Sequence, residues 1–132
     1  MAPASEPRAP VAAPVLIAEA VNIFDPARVA ADIAAAVEAS GGDHPRIRAG
    51  TVRILKAAMA DGRAVIAQAF EARPLASREA ASAYCYLTDC IVRAVFHTAT
   101  QHLHPMPNPT GGQRIALLAL GGYGRAQMAP FS

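Results

Sequence analysis

HPRIRAGTVRILKAAMADGRAVIAQAFEAR, residues 44–73, is the stretch whose reading decides the fold. Its positions Ile47, Thr51, Leu55, Met59, Gly62, Ile66 and Phe70 recur at spacings of three or four, the repeat of one face of an α-helix. An Asp-Gly pair such as Asp61-Gly62 ordinarily marks a break. Here the phase of the stripe is kept on both sides, so the segment reads as one continuous helix in which Gly62 lets another backbone come close. A glycine costs a helix about 1 kcal/mol in propensity, and packing at Gly62 has to compensate. Arg73-Pro74 closes the segment.

Working outward, Asp25-Pro26 is a helix start: a carboxylate that can cap free N–H groups, then a proline at the first helical position. Val29, Ile33 and Val37 recur every fourth residue, giving a first short helix from Pro26 to Ala39, ended by Ser40-Gly41-Gly42. On the other side, Ser77 is the expected cap of a helix with the stripe Tyr84, Leu87, Ile91, Val95, Thr98 and His102. Two long helices joined by a short loop form a hairpin with facing apolar stripes, and the first helix can lie across them. The expectation is therefore a mainly α chain. Residues 1–14 are an Ala/Pro-rich leader expected to be disordered, 15–104 a helical region, and 105–113 a Pro/Gly linker loop. Val15 to Phe24 is apolar but short, and its state is left open.

Composition limits the options. The chain has 132 residues, 53% of them hydrophobic, which suffices for one core. Aromatics are 5% and tryptophan is absent, so that core is aliphatic, with close helix contacts. A net charge of +2 with dispersed arginines excludes a nucleic-acid-binding stripe. No apolar run approaches the roughly 20 residues of a membrane span, and the N-terminus makes a poor signal peptide because Glu6, Pro14 and Glu19 interrupt the pattern. Cys85 and Cys90 are five apart on a helical pattern and diverge, as expected of unpaired thiols in a reducing cytoplasm.

Residues 114–132 are of a different kind. Arg114 to Leu120 is a nearly continuous apolar run that fits a strand buried on both faces. Nothing else in the chain has strand character, so the expected strand has no partner here and the sequence reads as incomplete. The run delivers its C-terminal end into Gly121, Gly122 and Gly124, then Arg125, Pro130 and Ser132. A strand feeding a glycine loop is a common way to bring backbone N–H groups up to a phosphate. The dinucleotide fingerprint fails on spacing, because counting from Gly122 its third position falls on Gln127. A Walker loop is excluded because no Gly-Lys-Ser/Thr follows.

Other chemistry is sparse. His97 and His102 are five apart on a helix and are expected to diverge, and His104 lies in or near the loop, so no pair has the i, i+4 spacing of two metal ligands. The carboxylates Asp25, Asp32, Glu38, Asp43, Asp61, Glu71, Glu79 and Asp89 fit caps and solvated faces. No acid, base or nucleophile stands in an arranged catalytic site.

The run LALGGYGRAQMAPFS resembles the opening of the nucleotidyltransferase domain of the bacterial protein-PII uridylyltransferase/uridylyl-removing enzymes. There a strand leads into Gly-Gly-Tyr-Gly-Arg and then a Pro-x-Ser just before an Asp-x-Asp. The match is close at Gly121, Gly122, Tyr123, Gly124, Arg125, Pro130 and Ser132. It departs at Ala126, where the family usually has glycine, at Gln127, where it has glutamate, and at Met128, where it has leucine. ADGRAVIAQAFEARP and AYCYLTDCIVRAVF also look like that family's helical N-terminal region.

The resemblance implies that the parent protein transfers UMP from UTP to a tyrosine of the PII nitrogen-regulatory protein. It implies nucleotide binding by Gly121, Gly122, Gly124, Arg125 and Ser132, with the backbone at the two leading glycines approaching the triphosphate. The carboxylates that hold Mg²⁺ would follow residue 132, so no catalytic or metal-ligating residue is expected within this chain, and the fragment alone is expected to be inactive. Two competing expectations stand beside this one. The chain could be a complete helical interaction module without catalysis, or a relative of the glutamine synthetase adenylyltransferases.

Overall fold

The structure, a computed structural model, describes residues 12–108 and 115–129. Most of the leader expected at 1–14, the end of the loop expected at 105–113, and Arg114, Pro130 and Ser132 lie outside the described residues. What is described is mainly helical. In chain order it contains α1 (Ala20–Ile23), α2 (Pro26–Ala39), α3 (His44–Ala72), α4 (Ser77–Thr98), a π-helical turn (Ala99–Leu103) and α5 (Gly121–Gly124).

The helix starts follow from side-chain chemistry. The Asp25 carboxylate accepts from the N–H groups of Ala27 at 3.0 Å and Arg28 at 3.1 Å, and Pro26 stands where no donor is needed. Asp43 repeats the arrangement at α3, accepting from the Arg46 N–H at 3.0 Å, with Pro45 in the first turn. At the end of α2 the Ser40 hydroxyl donates to the Val37 carbonyl at 2.5 Å and accepts from the Gly42 N–H at 3.2 Å. Ser77 departs from expectation. It is the first residue of α4, the capping position falls on Ala76, and no side chain caps that end.

α3 runs unbroken through Asp61-Gly62, and the reason is geometric. A Cβ placed on Gly62 would lie 2.5 Å from the Ile23 carbonyl oxygen and 2.7 Å from Leu87 Cδ1. α1 and α4 therefore both press on α3 at this point, and the contact exists only because the residue has no side chain. Leu87 and Ile23 are almost wholly buried there.

One core joins the helices: Ile17, Ile23, Phe24, Val29, Ile33, Leu55, Ile66, Ala80, Ala83 and Leu87. α2 and α4 both pack on α3. α4 runs back along α3, so that the chain after the π-helical turn returns to the start of α3, where the His104 ring meets that of His44 edge-on at 6.4 Å. The α3 stripe is buried or half-buried at every position read from the sequence. The α4 stripe is buried or half-buried at every position read from the sequence except Val95, which is half exposed, and Ala80 and Ala83 extend it toward the start of the helix. Small side chains let α4 approach α3 closely along that face. The Arg73 guanidinium donates to the Ile17 carbonyl and ties the segment before α1 to the end of α3.

The expected divergence of His97 and His102 is corrected. Their rings meet edge-to-face at 6.3 Å. The π-helical turn accounts for this, since i→i+5 bonding widens the turn and brings residues five apart onto one side. Two imidazoles alone do not complete a metal site, and no group of three His, Cys, Asp or Glu comes together among the described residues. No helix among the described residues is long and apolar enough to cross a membrane.

Candidate nucleotide-binding turn

The segment leading to the turn does not form a ladder. Residues 115–120 carry no strand pairing, and Ile115, Leu117, Leu118 and Leu120 are exposed, Leu118 at 82%. A strand is stable only when its N–H and C=O groups meet a neighbour, and among the described residues there is no neighbouring strand. The expectation of a strand buried on both faces is thus not met within the described residues. Leu120 itself is extended, with φ −124° and ψ 164°.

The chain then reverses over nine residues, and each glycine has a separate reason to be one. Gly121 has φ 63°, in the left-handed region. A Cβ on Gly122 would stand 2.9 Å from the Gln127 carbonyl oxygen, and one on Gly124 would stand 2.5 Å from that of Ala119. The helical turn Gly121–Gly124 is closed by the Gly124 N–H on the Leu120 carbonyl at 3.1 Å and the Arg125 N–H on the Gly121 carbonyl at 3.2 Å. The Gln127 N–H then returns to the Gly122 carbonyl at 2.8 Å, across an Ala126 that itself has φ 56°. The turn thus uses all three glycines for its own backbone. As at any helix start, its leading N–H groups, those of Gly121, Gly122 and Tyr123, find no acceptor inside it.

One side-chain hydrogen bond docks the turn on α4: the Tyr123 phenol donates to the Asp89 carboxylate. Burial, reinforced by the hydrogen bond to Asp89 and by its charge, pushes the Tyr123 phenol up to about 12. Burial likewise raises the Cys85 thiol, and the Met128 N–H partly opposes that rise. Beside this contact Gln127, Met128 and Ala129 roof an apolar groove of about 590 Å³ whose floor includes Phe70, Ala80 and Tyr84.

Of the residues expected at a nucleotide site, Gly121, Gly122, Gly124 and Arg125 therefore fall in one turn, while Ser132 lies outside the described residues. The Arg125 side chain is exposed and has no ion-pair partner among the described residues. Sequence reading missed the docking pair Asp89 and Tyr123. The two are 34 residues apart, and nothing local in either stretch signals the contact.

Comparison with known proteins places this chain among named relatives. It is 44% identical over 110 residues to the bifunctional uridylyltransferase/uridylyl-removing enzyme of Ruegeria pomeroyi, covering 83% of this chain and 12% of that protein. With the enzyme of the same name from Cereibacter sphaeroides it is 43% identical over 136 aligned residues, covering 100% of this chain and 14% of the relative. The chain is homologous to a segment of the bifunctional uridylyltransferase/uridylyl-removing enzymes. A third enzyme so named, from Erythrobacter litoralis, is 37% identical over 111 residues. The chain spans only 12 to 14% of the length of these uridylyltransferase/uridylyl-removing relatives. No family profile matches the chain, and no solved structure matches it.

Proposed function

We propose that this chain supplies the helical preamble (residues 15–104) and the nucleotide-facing glycine turn (within residues 114–132) of an enzyme that transfers UMP from UTP to a tyrosine of a PII nitrogen-regulatory protein. The observation that carries the reading is the 44% identity to a named uridylyltransferase over 83% of the chain. The geometry of the turn supports it. Gly121, Gly122 and Tyr123 offer N–H groups with no acceptor inside the turn, and the exposed Arg125 guanidinium stands at its other end. Triphosphate oxygens are suitable acceptors for both. Ser132 adds a hydroxyl or N–H to the same group in this reading.

Mg²⁺ does not fit the residues of this turn. Residues 115–132 contain no Asp or Glu, and hard divalent cations take oxygen ligands, chiefly carboxylates. Its ligands are proposed to follow residue 132, and the 132 residues alone are proposed to be inactive. The test uses the full-length enzyme carrying this segment, with radiolabelled UTP or ATP and purified PII protein. The expected result is label on PII from UTP, lost in Gly122→Val and reduced at least tenfold in Arg125→Ala, a contact of the size of a charged hydrogen bond. Label from ATP in place of UTP, or none from either, would sink the proposal.

A further inference from the structure

Tyr123 is the one residue of the Gly121–Gly124 turn that has a side chain. Three glycines leave a backbone free to wander unless something tethers it, so the placement of the turn depends on what holds Tyr123 and the residues just after it. Asp89 and Cys85 are four apart on α4 and so lie on one face. Asp89 is bonded to the turn through the Tyr123 phenol, and the Met128 backbone lies close enough to Cys85 to oppose the rise of its thiol. Asp89 is an exposed carboxylate with no ion-pair partner among the described residues, and it accepts a hydrogen bond from Tyr123. A carboxylate accepting from a phenol makes a charge-assisted bond, stronger than a neutral one. The rise of the Tyr123 phenol agrees with a proton held at this contact.

We propose that Asp89 is a positioning residue: through Tyr123 it holds the glycine turn against α4 in the arrangement that meets the nucleotide phosphates. The inference rests on the nucleotide-binding reading of the turn and adds to it a named residue of the helical region, 32 positions before Gly121. It makes α4 part of the apparatus that sets UTP affinity. Asp89 touches no reacting atom, so its loss acts on binding more than on turnover.

The experiment is steady-state kinetics with the full-length enzyme carrying this segment, comparing wild type, Asp89→Ala, Tyr123→Phe, the double variant and Asp89→Asn. Asp89→Ala and Tyr123→Phe are each expected to raise KM for UTP about tenfold while changing kcat far less, as for loss of one charged hydrogen bond. The double variant is expected to be no worse than either single one, because both remove the same contact. Asp89→Asn, which keeps an acceptor oxygen but not the charge, recovers part of the loss. Hydrogen exchange read by mass spectrometry is expected to quicken in peptides covering 121–127 of Asp89→Ala and to stay unchanged in α3, which separates loosening of the turn from misfolding. Active enzyme with an unchanged KM in Asp89→Ala, additive effects in the double variant, or exchange that quickens equally in α3 overturns the positioning role. Wild-type enzyme that neither binds nor transfers a nucleotide overturns the functional reading itself, and the positioning role falls with it.

Discussion

Ala126 sits at φ 56°, in the region where a side chain is strained and glycine is not. The side chain therefore carries a local cost there that glycine would not. Ala126→Gly is expected to stabilise the turn by about 1 kcal/mol, part of the relief being returned as added freedom in the undocked state. The Gln127 amide, bonded to the Gly122 carbonyl at 2.8 Å, reports it through hydrogen exchange slowed about fivefold. Gly62 predicts the opposite sign. Alanine would gain about 1 kcal/mol of helix propensity, but its Cβ would meet a main-chain oxygen at 2.5 Å, an atom that cannot swing aside. Gly62→Ala is therefore expected to destabilise the chain by a net 1–3 kcal/mol, roughly the range for overpacking, seen as a lower urea midpoint with an unchanged slope.

Among the elements, the ones legible in the sequence are those whose formation is local. α2 begins at Pro26 and ends at Ala39 where the capping aspartate and the Ser-Gly-Gly stop put it, and α3 continues through Gly62 because its apolar phase does. What was not legible depends on neighbours. α1 is four residues long and exists because Ile23 and Phe24 are buried against α3 and α4. α4 turns its Ala80 and Ala83 face inward because small side chains allow the closest approach to α3, which a hydrophobicity pattern underrates. The docking of the turn was invisible for the same reason, since Asp89 reads as one more solvated carboxylate until Tyr123 is brought to it. That docking is sensitive to alkali. The Tyr123 phenol is raised in the folded state, so folding favours its protonated form. The contribution is complete below the ordinary tyrosine value near 10 and is lost as pH rises through about 12. The phenolate absorbance of Tyr123 is expected to appear near pH 12, and Asp89→Ala is expected to bring it forward to lower pH. An unchanged Tyr123 transition in that variant would contradict the contact.

At the scale of the molecule, the described residues divide between a bundle that shares one core and a segment that does not enter it. None of residues 115–129 is fully buried, whereas α1 to α4 all contribute buried side chains. The segment also shows water an apolar run with no strand partner among the described residues, Ile115, Leu117, Leu118 and Leu120 all being more than half exposed. Such a run templates strand pairing with whatever reaches it first, and in a solution of this chain alone the available partner is another copy. The 132-residue chain is therefore expected to self-associate with rising concentration, by sedimentation velocity, while its helical circular dichroism is unchanged. Leu117 and Leu118 fall on opposite faces of an extended segment, so the double substitution Leu117→Lys, Leu118→Lys places a charge on each face and is expected to return the chain to a monomer. Because neither side chain belongs to the core, the melting temperature of the helices should move by no more than the change for a surface substitution, within about 0.5 kcal/mol. If the lysine variant associates as before, the contact between copies runs through the helices, and the groove beneath Met128 becomes the next surface to alter.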